Sequence, residues 1–194
     1  RDMPEPYASP AAAEPRASAL SPFRHPVFTV LWIATVISNV GRWMQNAAGG
    51  WLMAGLDPDP FIVSLVQVAT ALPMFLLGLP AGALADILDR RRLLLVVLVA
   101  VTALTAGFAL LVGLDLATPM ALLVFTFLAG AGAALMAPAW QAIVPQLVPR
   151  RALQPAIALN SVGINISRAI GPALAGVIIG VLGLAAPFWL NALS

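Results

Sequence analysis

The sequence contains no cysteine, no lysine and a single histidine. Without cysteine there can be no disulfide, no thiolate zinc site and no thiol nucleophile. The one histidine, His25, lies outside every long apolar run, and no Asp or Glu lies inside one. An enzyme working within a bilayer needs a nucleophile with a base, or a metal cluster, and these runs offer neither. No cofactor is expected. Charge is scarce as well: Asp, Glu, Lys and Arg together make up 9% of the chain, whereas soluble domains carry about a quarter. With 61% hydrophobic residues and a mean hydropathy of +0.96, too little polar surface exists to coat a water-soluble globule.

What is present in quantity is apolar sequence, in runs of roughly twenty residues, the length that crosses a hydrocarbon core at about 1.5 Å per residue. The expected fold is all-α, a polytopic bundle of membrane helices, and its first partner is the lipid bilayer. All ten basic residues are Arg, and the isoelectric point is near 10.4. That value alone would suggest nucleic acid. The arginines are instead gathered in short clusters between the apolar runs, which is a topology signal. No nucleic-acid partner is expected.

Residues 1–22 are rich in Pro, Ala and Ser, and Pro4, Pro6, Pro10, Pro15 and Pro22 forbid a long helix. This stretch is expected to be a disordered cytoplasmic tail. A bundle follows over 23–194, with spans at about 27–53, 61–85, 93–113, 119–144 and 154–182 and a sixth begun near 186. The sixth reads as cut in mid-element, and the first residue is Arg, so the sequence reads as part of a longer chain. The Arg90–Arg92 and Arg150–Arg151 clusters lie in alternate connectors, with Arg16 and Arg24 in the tail. The opposite connectors hold Asp57, Asp59 and Asp115 and no basic residue. The positive-inside rule then puts the N-terminus and both Arg-rich links in the cytoplasm of a cell inner (plasma) membrane protein.

Four constellations stand out. In the first span, Asn39, Arg42 and Asn46 share a helix face, with Ser38 and Gln45 nearby. Amides alone suffice for bonding between helices. A charge near the bilayer centre costs roughly 2.5–3.5 kcal/mol on insertion scales and marks a pathway by default. Lining a cavity and a structural role both remain open for Arg42. In the fifth span stand Asn160, Asn165 and Arg168. Arg42 lies about fifteen residues into its span and Arg168 about fourteen into its own, so the two should share a depth of roughly 21–23 Å. A ladder of small residues, Gly163, Ser167, Gly171 and Ala175, recurs every fourth position, with Pro172, Gly176 and Gly180 beside it. It fits either close packing or a sliding contact. Lastly, Gly82 and Asp86 end the second span, ahead of Asp89, Arg90, Arg91 and Arg92.

That last stretch resembles the signature of the major facilitator superfamily between its second and third helices, Gly-x-x-x-Asp-[Arg/Lys]-x-Gly-[Arg/Lys]-[Arg/Lys]. Gly82, Asp86, Arg90 and Arg91 match; Ile87 stands where a base is usual and Asp89 where Gly is usual. Gly171-Pro172-Ala-Leu-Ala175-Gly176 resembles the fifth-helix motif Gly-Pro-x-x-Gly-Gly. The stretches from Asn39 to Gln45 and from Pro138 to Pro145 are similar to the branch that contains the enterobactin exporter and related transmembrane secretion effectors. The resemblance implies two six-helix halves, each of inverted three-helix repeats, and alternating access. This chain would then be the N-terminal half, and its partner the missing C-terminal half. Asp86 would close an inner gate against that half, tuned by Arg90 and Arg91. Asn39, Arg42, Gln45, Asn46 and Arg168 are candidates to line the cavity for a small-molecule substrate. The implied function is export of small amphipathic or anionic solutes; an importer, or a receptor or scaffold bundle, is the alternative.

Overall fold

The structure is a computed structural model that describes residues 18–143 and 147–194. Six α-helices follow one another without strands among the described residues: α1 Pro26–Leu56, α2 Pro60–Ile87, α3 Arg90–Gly113, α4 Pro119–Ile143, α5 Leu153–Leu182 and α6 Ala186–Leu193. The first five are long and apolar enough to cross a bilayer. The chain is therefore a multi-pass membrane protein of helical-bundle architecture.

Local chemistry sets the helix ends. Pro26, Pro60, Pro119 and Pro187 stand in first turns, where the missing N–H is no loss. The Asp59 carboxylate caps α2 by accepting from the Phe61 N–H at 2.8 Å. The Thr118 hydroxyl accepts from Ala121 at 3.2 Å at the start of α4. Gly183, with φ 87°, ends α5 in a conformation that other residues rarely adopt.

Residues 1–17, most of the expected tail, lie outside the described residues, as do 144–146, which take in the last residue of the expected fourth span and Pro145 beyond it. Ser21–Arg24 form a 3-10 turn in which Pro22 is buried. Phe23 stands edge-on to Trp32 at 5.2 Å and tilted to Phe28 at 6.0 Å. Phe28 joins Val148, Ala152 and Ala156 in an apolar cluster that ties this turn to the start of α5.

α1 packs against α5, α2 against α4, α3 against both α4 and α6, and α1 against α6. Exchanging α1 with α4, α2 with α5 and α3 with α6 maps this set of packings onto itself, as a pair of repeated three-helix units requires. Toward the α3–α4 connector the bundle is closed by Phe108, Phe125 and Phe188, from α3, α4 and α6. The first two rings stack at 4.2 Å and the third stands edge-on at 5.2 and 5.9 Å. Such pairs add about 0.5–1.5 kcal/mol each beyond the area they bury.

Candidate functional site

The pairing of α1 with α5 organises the polar groups. The Trp32 indole N–H donates to the Leu159 carbonyl at 3.0 Å. One turn on, the Ser167 hydroxyl donates to Gly163 at 2.8 Å and to the Val36 carbonyl at 3.2 Å. Further along, a Cβ on Gly171 would overlap that of Trp43 and stand 3.2 Å from the Met44 backbone nitrogen. These contacts advance together along both helices, so α1 and α5 run parallel in fixed register. Gly163, Ser167, Gly171 and Ala175 are all buried in this seam. The ladder thus meets α1 of the same half, and its small residues let the two backbones approach closely. Gly176 is not part of the seam: it is exposed, and a Cβ there would meet nothing within 4 Å. Pro172 is exposed on the same flank.

Arg168, one turn before Gly171, places its guanidinium 5.0 Å from the centre of the Trp43 ring. Trp43 follows Arg42 in sequence, so the seam brings the two arginines to one level. Arg42 donates from Nη2 to the Asn39 Oδ1, and Asn39 is itself buried. No carboxylate among the described residues pairs with Arg42 or Arg168; the ion pair found, Arg90–Asp86, is at a helix end.

The helical period gives α1 and α5 two faces each. On α5, Ser161, Asn165, Arg168, Pro172 and Gly176 fall on one exposed flank. Val162, Ile166, Ile170, Val177 and Val181 fall on the other. On α1, Arg42 and Asn46 are exposed on one flank, and Val30, Ile33, Ile37 and Trp51 on the opposite one. Because the helices are parallel and of one hand, both polar flanks lie on the same side of the pair. α4 approaches α1 toward its two ends: Gly49 faces Leu122, and Trp140 shares a small cavity with Thr35 and Phe28. Between these contacts the Arg42 and Asn46 side chains are open.

Gln45 is not on that open face. It is buried, and its Oε1 accepts from the Asn191 amide of α6 at 2.6 Å. Ser38 also turns toward α6 and donates to the Ser194 carbonyl at 2.9 Å. Gly41 lies beneath both, where a Cβ would come within 2.9 Å of the Asn191 Oδ1. The α1–α6 contact, and the support that Trp43 gives Arg168, went unread in the sequence. They depend on which helices pair, and no single span encodes that.

At the end of α2, the Asp86 carboxylate lies 3.9 Å from Arg90 Nη2, with the Asp86 side chain 80% exposed. At that distance and exposure the pair contributes little by itself. Gly82 has open space where a Cβ would stand, and Arg91 is exposed. Asp89 explains its departure from the family signature: it caps α3, its carboxylate accepting from the Arg92 N–H at 2.8 Å. An Asp just ahead of an apolar run is a helix-start signal that sequence alone offers.

Five helices long and apolar enough to cross a membrane, a duplicated packing pattern and a polar flank shared by α1 and α5 define a polytopic helical bundle of the major-facilitator kind. The sequence profile of the family described as transmembrane secretion effector matches residues 17–194. The chain belongs to that family, within the major facilitator superfamily. It is 32% identical over 143 residues to the staphyloferrin A transporter of Staphylococcus aureus, covering 73% of this chain and 36% of that protein. It is 29% identical over 163 residues to the MFS-type transporter YfiS of Bacillus subtilis, covering 84% and 38%. It is 28% identical over 178 residues to the multidrug efflux pump Tap of Mycobacterium tuberculosis, covering 87% and 41%. The chain thus spans roughly two fifths of these relatives. No solved structure matches it.

Proposed function

We propose that this chain is the N-terminal half of a secondary active transporter that exports small anionic or oxygen-rich amphipathic solutes by alternating access. The observation that carries the reading is a pair of exposed intramembrane arginines on one polar face, with no carboxylate paired to them among the described residues. A charge in that position is costly unless it faces water or a counter-charge. An anionic solute supplies the counter-charge. The relatives named for a siderophore, staphyloferrin A, and for multidrug efflux support solute movement of this kind.

In this reading Asn39, Arg42, Asn46 and Arg168 belong to the solute path, and Gln45 holds α6 in place. A second six-helix half pairs with the exposed flanks of α2 and α5. Asp86, exposed at a helix end, reaches a facing helix N-terminus of that half. Such a contact gains roughly 0.3–1 kcal/mol, enough to bias a gate that forms and breaks once per cycle. Gly82, Arg90 and Arg91 shape this contact, and the N-terminus is cytoplasmic.

The test uses the complete polypeptide in inside-out vesicles, with Arg42→Gln and Arg42→Lys variants against anionic, neutral and cationic solutes. Anion movement falls by about tenfold or more in Arg42→Gln, the factor that 1.4 kcal/mol makes, and recovers in part in Arg42→Lys. Undiminished anion transport by Arg42→Gln, or a wild type that moves only cations, overturns the reading.

A further inference from the structure

We propose that Arg42 and Arg168 form one anion subsite for a ligand with two or more carboxylate groups, and that Trp43 is the residue that positions the second guanidinium. The proposal rests on the polar face being the solute path and names the class of solute that fits it.

Both arginines have partners, and both partners are neutral. Asn39 offers Arg42 an amide oxygen; Trp43 offers Arg168 the face of its ring. Each contact orients a guanidinium without cancelling its charge. A guanidinium has five N–H donors in one plane. Arg42 commits one hydrogen-bonding arm to Asn39, and a guanidinium over a ring keeps its in-plane donors free for oxygen. The pair therefore presents two positive charges with donors left for carboxylate oxygens, which guanidinium groups bind well.

The spacing of the two is fixed by the backbone. Gly171 brings α5 against the Trp43–Met44 backbone of α1, and Ser167 and Trp32 bond the two helices over the turns that precede this contact. Arg168 stands one turn before Gly171, so the close approach sets it over Trp43, the residue that follows Arg42 in sequence. A monoanion at this place leaves one of the two positive charges uncompensated. A dicarboxylate of sufficient reach compensates both. The asymmetry makes the site selective for charge number.

Equilibrium dialysis on the purified complete polypeptide compares succinate with butyrate, two acids of equal chain length. Wild type binds succinate at least about tenfold more tightly than butyrate. Arg42→Gln and Arg168→Gln each abolish that preference and leave weak, equal binding. Trp43→Leu behaves like Arg168→Gln, whereas Trp43→Phe, which retains a ring face, keeps the preference. Size-exclusion profiles of each variant report assembly separately. If Arg168→Gln keeps the preference while Arg42→Gln loses all anion binding, the two-arginine subsite is wrong and the anion path stands. If Trp43→Leu keeps a preference that Arg168→Gln loses, Trp43 has no positioning role. If wild type binds neither acid, or both equally with no response to Arg42→Gln, the anion path fails with it.

Discussion

Arg42 and Gln45 are three residues apart on α1, yet one is open and the other is buried against α6. The amide pair Gln45–Asn191 is a bond between helices in a setting where such bonds average about 0.6 kcal/mol and reach 1–2. Gln45→Leu leaves the Asn191 amide without its partner and costs about 1 kcal/mol of thermal stability. The double change Gln45→Leu with Asn191→Leu recovers most of it, because no polar group is then stranded. Melting temperatures in detergent for the three variants check this; the solute profile of Gln45→Leu stays that of wild type. A profile changed as in Arg42→Gln would return Gln45 to the solute path. The sequence showed a polar cluster from Ser38 to Asn46 but not its division. That division depends on where α6 sits, and the Asn191 of α6 lies 146 residues beyond Gln45 in the chain.

At the scale of elements, the runs of apolar residues and their prolines located the helices, because bilayer thickness dictates length and first-turn prolines mark starts. The ladder in α5 was visible too, as a period of four. Its partner was not, since small residues say that something comes close and not what. In the structure the partner is α1, and Gly171 is the tightest point. Gly171→Leu forces side-chain bulk into the Trp43 backbone; overpacking of this kind costs about 1–3 kcal/mol or more, and both assembly and transport fall. Gly176→Ala, at a position with no neighbour within 4 Å, leaves the fold of this half intact. Ala175→Gly restores the family residue and is mild. Expression level, detergent melting and transport of the three variants check the order. Equal behaviour of Gly171→Leu and Gly176→Ala would mean that this face of α5 meets lipid.

At the scale of the molecule, the five spans present two kinds of surface. One carries Ser161, Asn165, Arg168, Arg42 and Asn46; the other carries Ile33, Ile37, Ile166, Ile170 and Val177. α2 adds an exposed apolar stripe in which Phe75 is 85% and Leu79 89% exposed. Such a surface needs lipid or another bundle to cover it. Family membership follows from residues 17–194, and the division into faces follows from the parallel register of α1 and α5. In the proposed transporter the polar face is wet and the apolar face is not. Because the sequence has no cysteine, single-cysteine variants of this region carry no background of their own. Asn46→Cys, Ser161→Cys and Asn165→Cys in the complete polypeptide should react with a membrane-impermeant maleimide from at least one side of the membrane. Ile37→Cys, Ile166→Cys and Val177→Cys should stay unlabelled until detergent is added. Labelling of the second set with protection of the first would contradict the account.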